Sequence, residues 1–185
     1  MNPFPLHTLE TAPPESKPLL ASVEARFGFL PNVYAHIAEA PVVLEALLQL
    51  SAIFARTSLT ERHRHVLLLA SSVENRCTFC VAAHTRGAQA AGIDADVITS
   101  IRDGLVPGAA EDAAMVTFVR ALIGSRGFVS DDDLNVFFQQ GFTPRHALEV
   151  VLGVTVKILT NYCNHVTDTE LNPQLAPYVW KDPGP

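Results

Sequence analysis

Basic residues are scarce in this sequence. Thirteen Lys and Arg face nineteen Asp and Glu, a formal charge of -6, with no basic stripe and no aromatics interleaved with Lys or Arg. That excludes nucleic acid as an expected partner. Long apolar runs are missing too: stretches such as Val66 to Ala70 fall far short of the ~20 residues that a membrane span requires, so no membrane association is expected. The first residues, MNPFPLHTLETAPPESK, lack a basic start followed by an apolar run, so no secretory signal is expected. A cytoplasmic location follows as the expectation, and there thiols stay reduced. Three cysteines are too few for a disulfide scaffold, and two of them sit three apart, a spacing that suits redox chemistry or a metal.

What is present is apolar and helical. Hydrophobic residues make up 48% of the 185, and the mean hydropathy is +0.21, oily for a monomer, which predicts a homo-oligomer. The length suits one domain. Residues 1–17, rich in proline, read as an irregular arm, and residues 18–185 as one helical domain with its Cys-x-x-Cys core at about 41–105. No convincing alternating strand occurs, so the expected fold is all-α. Helices are predicted from Pro18 to Phe27, Asn32 to Glu39 and Pro41 to Arg56. The next, capped by Thr60 and ending near Glu74, is apolar around its whole circumference and therefore central. Beyond the cysteines, Asp94 caps a short helix to Arg102, Glu111 to Ser125 follows, and Ser130 opens a helix closed by Gly141. Thr143 with Pro144 starts the last long helix, which reaches Asn161, Cys163, Asn164 and His165. Thr60, Arg62, His63, Leu69, Val73 and Cys80 match Thr143, Arg145, His146, Leu152, Val156 and Cys163 at one constant offset. As a weak internal repeat, this would bring two buried helices together and carry NYCNH towards the cysteine pair.

The informative stretch runs from Glu74 to His84, ENRCTFCVAAH. At about 100° per residue, Cys77, Cys80 and His84 fall within roughly 60° of one another on a helix, with Glu74 a further ~60° round. Two cysteines at this spacing can close a disulfide within one turn. The attacking species must be a thiolate, and an unperturbed thiol has a pKa near ~8.5, so an imidazole, a helix N-terminus or a proton-accepting group must help. His84 lies one turn from Cys80. Glu74 lies one turn from Cys77 and could act with His84 as a proton relay. Asn75 could cap a helix beginning at Arg76, placing both cysteines in its first turn; one continuous helix from Thr60 is the other arrangement.

The motif E-N-x-C-x-F-C-V-A-A-H-T resembles the core of the alkylhydroperoxidase D and carboxymuconolactone decarboxylase superfamily. GFLPNVYAHIAEAP and NYCNHVTDTELNP resemble the entry and C-terminal segments of its peroxidase-related branch. The resemblance implies an AhpD-like helical subunit assembling into dimers, trimers or hexamers. It implies a thiol-dependent peroxidase or disulfide oxidoreductase, without metal or organic cofactor, that reduces a hydroperoxide and is re-reduced by a thiol or dithiol protein. By position, Cys80 would attack the peroxide, Cys77 would resolve, and Glu74 and His84 would relay protons. One departure stands out. The best-studied type has a histidine immediately before the second cysteine, where this sequence has Phe79, and an upstream glutamate of that type aligns with His65.

Two alternatives compete. A carboxymuconolactone decarboxylase-like enzyme would act on a lactone acid by proton transfer without thiols, but cationic groups for a di-acid are not evident in the sequence. A zinc-stabilised module would use Cys77, Cys80 and His84 with His63, His65, His165 or Cys163. For His63, His65, Cys163 and His165 the ordinary roles of satisfied core or surface residues carry more weight, and Asn161 and Asn164 could simply satisfy helix-end carbonyls.

Overall fold

A computed structural model describes residues 2–182, and no strand occurs among them. The helices are α1 (Lys17–Phe27), α2 (Asn32–Ile37), α3 (Pro41–Phe54), α4 (Glu61–Glu74), α5 (Thr78–Ala90), α6 (Ala95–Arg102), α7 (Ala110–Gly124), α8 (Asp131–Gln139) and α9 (Pro144–Thr167), followed by a 3-10 turn at Pro173–Tyr178. The all-α expectation holds, with boundaries within about two residues of those read from the sequence. None of the described helices is long and apolar enough to cross a membrane.

The cap chemistry explains most of the boundaries. Thr60 accepts a hydrogen bond from the His63 amide, Ser130 forms a capping box with Asp133, and Thr143 forms one with His146. Asp94 stands at the predicted cap of α6 but makes no side-chain cap bond. Its carboxylate instead accepts from the Arg62 guanidinium at 2.9 Å.

α4 is the hub, packing against α5, α6, α7 and α9. Val66, Leu67, Leu69, Ala70, Ser71 and Ser72 are buried on it, so it has little solvent face, and the two serine hydroxyls donate to backbone carbonyls one turn back. α9 lies close against it: a Cβ at Gly153 would come within 2.7 Å of both Leu67 Cδ2 and Phe54 Cε2, so any side chain there would force those two to shift. The offset match between α4 and α9 thus corresponds to two helices with equivalent threonine caps packed side by side.

The start of α4 is fastened by charge. Arg62 donates Nε and Nη2 to Asp112 on α7, which is 1% exposed, while also reaching Asp94. Asp112→Ala is expected to cost about 3 kcal/mol, the low end for breaking a buried pair because Arg62 is partly open to water. Thermal unfolding checks it; an unchanged Tm would mean the pair contributes little.

The arm packs on the bundle as well. The Pro5 carbonyl accepts from His36 Nδ1 at 2.9 Å, His7 Nε2 meets Glu39 at 2.8 Å, and Ala12 is buried.

Candidate active site

The cysteines sit at a break between α4 and α5. Asn75 ends α4, and Arg76 turns into the left-handed region at φ 54°. The Cys77 amide then bonds the Ser72 carbonyl and the Arg76 amide the Val73 carbonyl, the paired bonds of a Schellman stop. A non-glycine residue in that conformation is uncommon. Arg76 is held there in part by an ion pair with Asp182. Asn75 therefore closes one helix rather than opening the next. Cys77 is the N-cap of α5, and Cys80 lies in its first turn, where backbone N–H groups favour an anion.

Both thiols are buried, Cys77 at 1% and Cys80 at 4% exposure. Asn164 on α9 donates from Nδ2 to Cys80 Sγ at 3.2 Å and to Cys77 Sγ at 3.5 Å. Asn161, one turn earlier and fully buried, accepts from Asn75 at 3.1 Å and so ties α9 to the helix break. The NYCNH segment does reach the cysteine pair, but through its two asparagines. Cys163 is half-buried, its thiol pushed up by burial, and His165 is exposed.

Lys157 supplies what the sequence reading missed. It is 2% exposed, and its ammonium donates to His84 Nε2 at 2.8 Å and to Thr160 Oγ1 at 3.2 Å. Burial, and then the Lys157 charge, hold the His84 pKa well below the usual imidazole value. His84 is thus a neutral acceptor at Nε2, and its proton resides on Nδ1. A hydrogen bond from Cys77 is the largest influence lowering the Cys80 pKa; burial opposes it, while the Lys157 charge and the Asn161 amide add to it. For Cys77, the same bond, burial and the Cys80 charge push the thiol well up. The pair is therefore asymmetric, with a thiolate at Cys80 and a thiol at Cys77. A lone lysine inside the apolar stretch Leu148 to Leu159 was the available signal, because buried lysines almost always have partners.

Cys80, His84 and Lys157 line a cavity of about 500 Å³, together with Tyr34, His65 and a largely apolar wall that includes Phe27, Leu47, Phe54, Leu68, Phe79 and Val156. Cys77 is not among its lining residues, so Cys80 is the sulfur that a molecule in the cavity meets. Tyr34, from the segment likened to the branch's entry, stays a phenol: burial raises its pKa, Arg26 lowers it and the Cys80 charge raises it. His65 packs beside Gly87, has a buried Nδ1 without a partner and lies 4.0 Å from Glu61. Burial also lowers its pKa.

Glu74 is not brought into this group. It is exposed at the end of α4, it does not line the cavity, and Oε2 lies 4.0 Å from Arg120 Nε on α7. The single-helix projection that placed it beside Cys77 fails because Arg76 breaks the helix between them. His63 likewise turns away, to Glu111 at 3.2 Å. Among the described residues no three His, Cys, Asp or Glu side chains converge as metal ligands, so the donor set of the zinc alternative is not assembled. Cationic groups that the sequence did not make evident are nevertheless assembled by the fold. Arg26, Arg64 and Arg86, far apart in sequence, join Lys157 around the cavity.

Comparison with known proteins agrees with this architecture. Residues 41–122 match the carboxymuconolactone decarboxylase family. The peroxidase-related protein with an alkylhydroperoxidase AhpD core from Ralstonia eutropha JMP134 superposes with a TM-score of 0.83 at 22% identity, covering 96% of this chain and 97% of that one. A peroxidase-related protein from Silicibacter sp. TM1040 gives 0.79 at 18% identity over 94% and 92%. The debrominase Bmp8 in complex with 2,3,4-tribromopyrrole gives 0.78 at 15% identity over 95% and 94%. No curated protein matches the sequence. The fold is AhpD-like, and fold and motif together support the AhpD and carboxymuconolactone decarboxylase superfamily that the sequence resembles.

Proposed function

We propose that the protein is a thiol-dependent peroxidase that reduces organic hydroperoxides through Cys80 and Cys77. The observation carrying this reading is the placement of the pair: Cys80, in the first turn of α5, lines the cavity together with Lys157, and Cys77 does not line it. Cys80 Sγ attacks the terminal oxygen of the hydroperoxide; an S–O bond forms and the O–O bond breaks. The departing alkoxide takes a proton from the Lys157 ammonium and leaves as the alcohol. Cys77 Sγ then attacks the Cys80 sulfenic acid, the S–S bond forms, and the Cys77 proton leaves with the hydroxyl as water. A thiol or dithiol protein returns two electrons and two protons, one of which restores the Lys157 ammonium. His84, the neutral acceptor, keeps that ammonium aimed into the site.

The test counts free thiols by alkylation and mass spectrometry, before and after one equivalent of cumene hydroperoxide, in wild type and Cys80→Ser. Wild type is expected to lose two thiols as a Cys77–Cys80 disulfide and the variant none. If wild type keeps both, the redox reading fails.

The arginines favour a second reading, a proton-transfer enzyme acting on an acid in the manner of carboxymuconolactone decarboxylase. Turnover of a lactone acid that survives Cys80→Ser would establish it. The debrominase among the structural neighbours shows that this fold also carries chemistry on a halogenated ring, so the reaction must be assigned from the site.

A further inference from the structure

The peroxidatic steps use Lys157 and leave three other cations of the same cavity without a role. Arg26, Arg64 and Arg86 line it from α1, α4 and α5, and no Asp or Glu does. In a chain with 19 acidic and 13 basic residues, a wall holding four cations and no carboxylate is a local reversal of charge. None of the three guanidinium groups forms an ion pair among the described residues, whereas Arg62, Arg76, Arg120 and Arg145 all do. Arg64 gives one N–H to the Leu59 carbonyl, Arg86 lies over the Phe29 ring at 5.5 Å, and Arg26 lies over Phe27 at 5.4 Å. Each guanidinium has five donors, so most remain for a ligand. Arg64 and Arg86 are half-buried, where a bidentate carboxylate contact is stronger than at an open surface.

The Lys157 ammonium beside Cys80 is already engaged by His84 and Thr160, so a carboxylate finds its free donors on the arginines. Arg86 stands six residues beyond Cys80 on α5, about 9 Å along the axis at the helical rise. The wall residues Phe54, Leu68 and Phe79 want an apolar filling. We propose that the cavity takes an amphipathic acid, its carboxylate on Arg64 and Arg86, its hydrocarbon body against the apolar wall and its reactive group at Cys80. That the reactive group is a hydroperoxide rests on the peroxidatic reading; the preference for an acid does not.

The probe is octanoate, which has nothing for the thiols to reduce, compared with 1-octanol by calorimetric titration of the full chain. Octanoate is expected to bind at least tenfold more tightly, to weaken as salt rises from 50 to 500 mM while octanol does not, and to lose its advantage in Arg64→Gln/Arg86→Gln. The Arg64→Lys/Arg86→Lys variant, which keeps the charge, should retain part of it. Equal affinities in wild type, an octanoate affinity indifferent to salt, or an undiminished advantage in the glutamine variant would each overturn the proposal. The wild-type comparisons decide even if a variant does not fold. A hydroperoxy fatty acid and its methyl ester then separate the two readings. Reduction of both at equal kcat/KM removes the acid preference and leaves the peroxidase. Tight octanoate binding with no reduction of either removes the peroxidase and leaves the acid site.

Discussion

Replacing Lys157 with methionine is expected to slow the reaction of Cys80 with iodoacetamide at pH 7, by up to roughly thirtyfold where the thiol returns to the ordinary range. An ordinary thiol with a pKa near ~8.5 is only about 3% ionised at that pH, whereas a thiol held well below the usual range is largely thiolate. The sign follows from the direction of the shift. In wild type the thiolate persists down to the depressed pKa of Cys80, and reactivity is lost only as the pH falls through it. Without the ammonium, the Cys77 hydrogen bond is left to oppose burial, so the loss begins at a higher pH and the pH–rate profile moves upward. The variant keeps its fold, because a buried thiolate deprived of its counter-ion takes up a proton instead of remaining an uncompensated charge. His84 loses its 2.8 Å donor at the same time, and its own depressed pKa should rise, since Lys157 is the second cause of that depression after burial. If alkylation rates and their pH profile are unchanged, Lys157 does not activate Cys80, and the Cys77 hydrogen bond, the helix N-terminus and Asn164 must account for its reactivity.

Cys77→Ser should separate the two halves of the reaction. The first oxidation survives, slowed because the Cys77 hydrogen bond is the leading influence on Cys80, although a serine hydroxyl can still donate one. The resolving step is abolished, so steady-state turnover with a dithiol reductant is expected to fall by more than a hundredfold, about 3 kcal/mol of lost transition-state stabilisation. The Cys80 sulfenic acid should then accumulate and react with a dimedone-type reagent at one equivalent per chain. Labelling of Cys77 in the reciprocal Cys80→Ser variant would reverse the assignment of roles. The geometry argues against that outcome, since Cys80 lines the cavity and Cys77 does not.

Much of the fold was legible because its signals are local. Thr60, Ser130 and Thr143 cap helices where their side chains predict, and an all-round apolar segment becomes the central α4. The cysteine pair and His84 were legible for the same reason, since their spacing on one helical segment already makes them neighbours. Glu74 marks where that logic fails. A projection that treats Glu74 to His84 as one helix cannot register Arg76 at φ 54°, a backbone turn taken against its residue type. The same break leaves Glu74 facing Arg120 and puts Cys77 at the cap instead of within the first turn.

Sequence by itself determined the helical class, the position of the reactive pair and the family likeness, because periodicity, capping and the spacing of Cys77, Cys80 and His84 involve residues within a turn or two of one another. Only the tertiary structure decided what surrounds that pair. Lys157, Asn161 and Asn164 reach it from a helix about eighty residues further along, and Arg26, Tyr34, Arg64 and Arg86 reach the same cavity from four different helices. A thiolate's pKa and a cavity's choice of ligand depend on charges and desolvation within a few ångströms in space, and helix packing assembles those neighbours without any periodic mark in the chain.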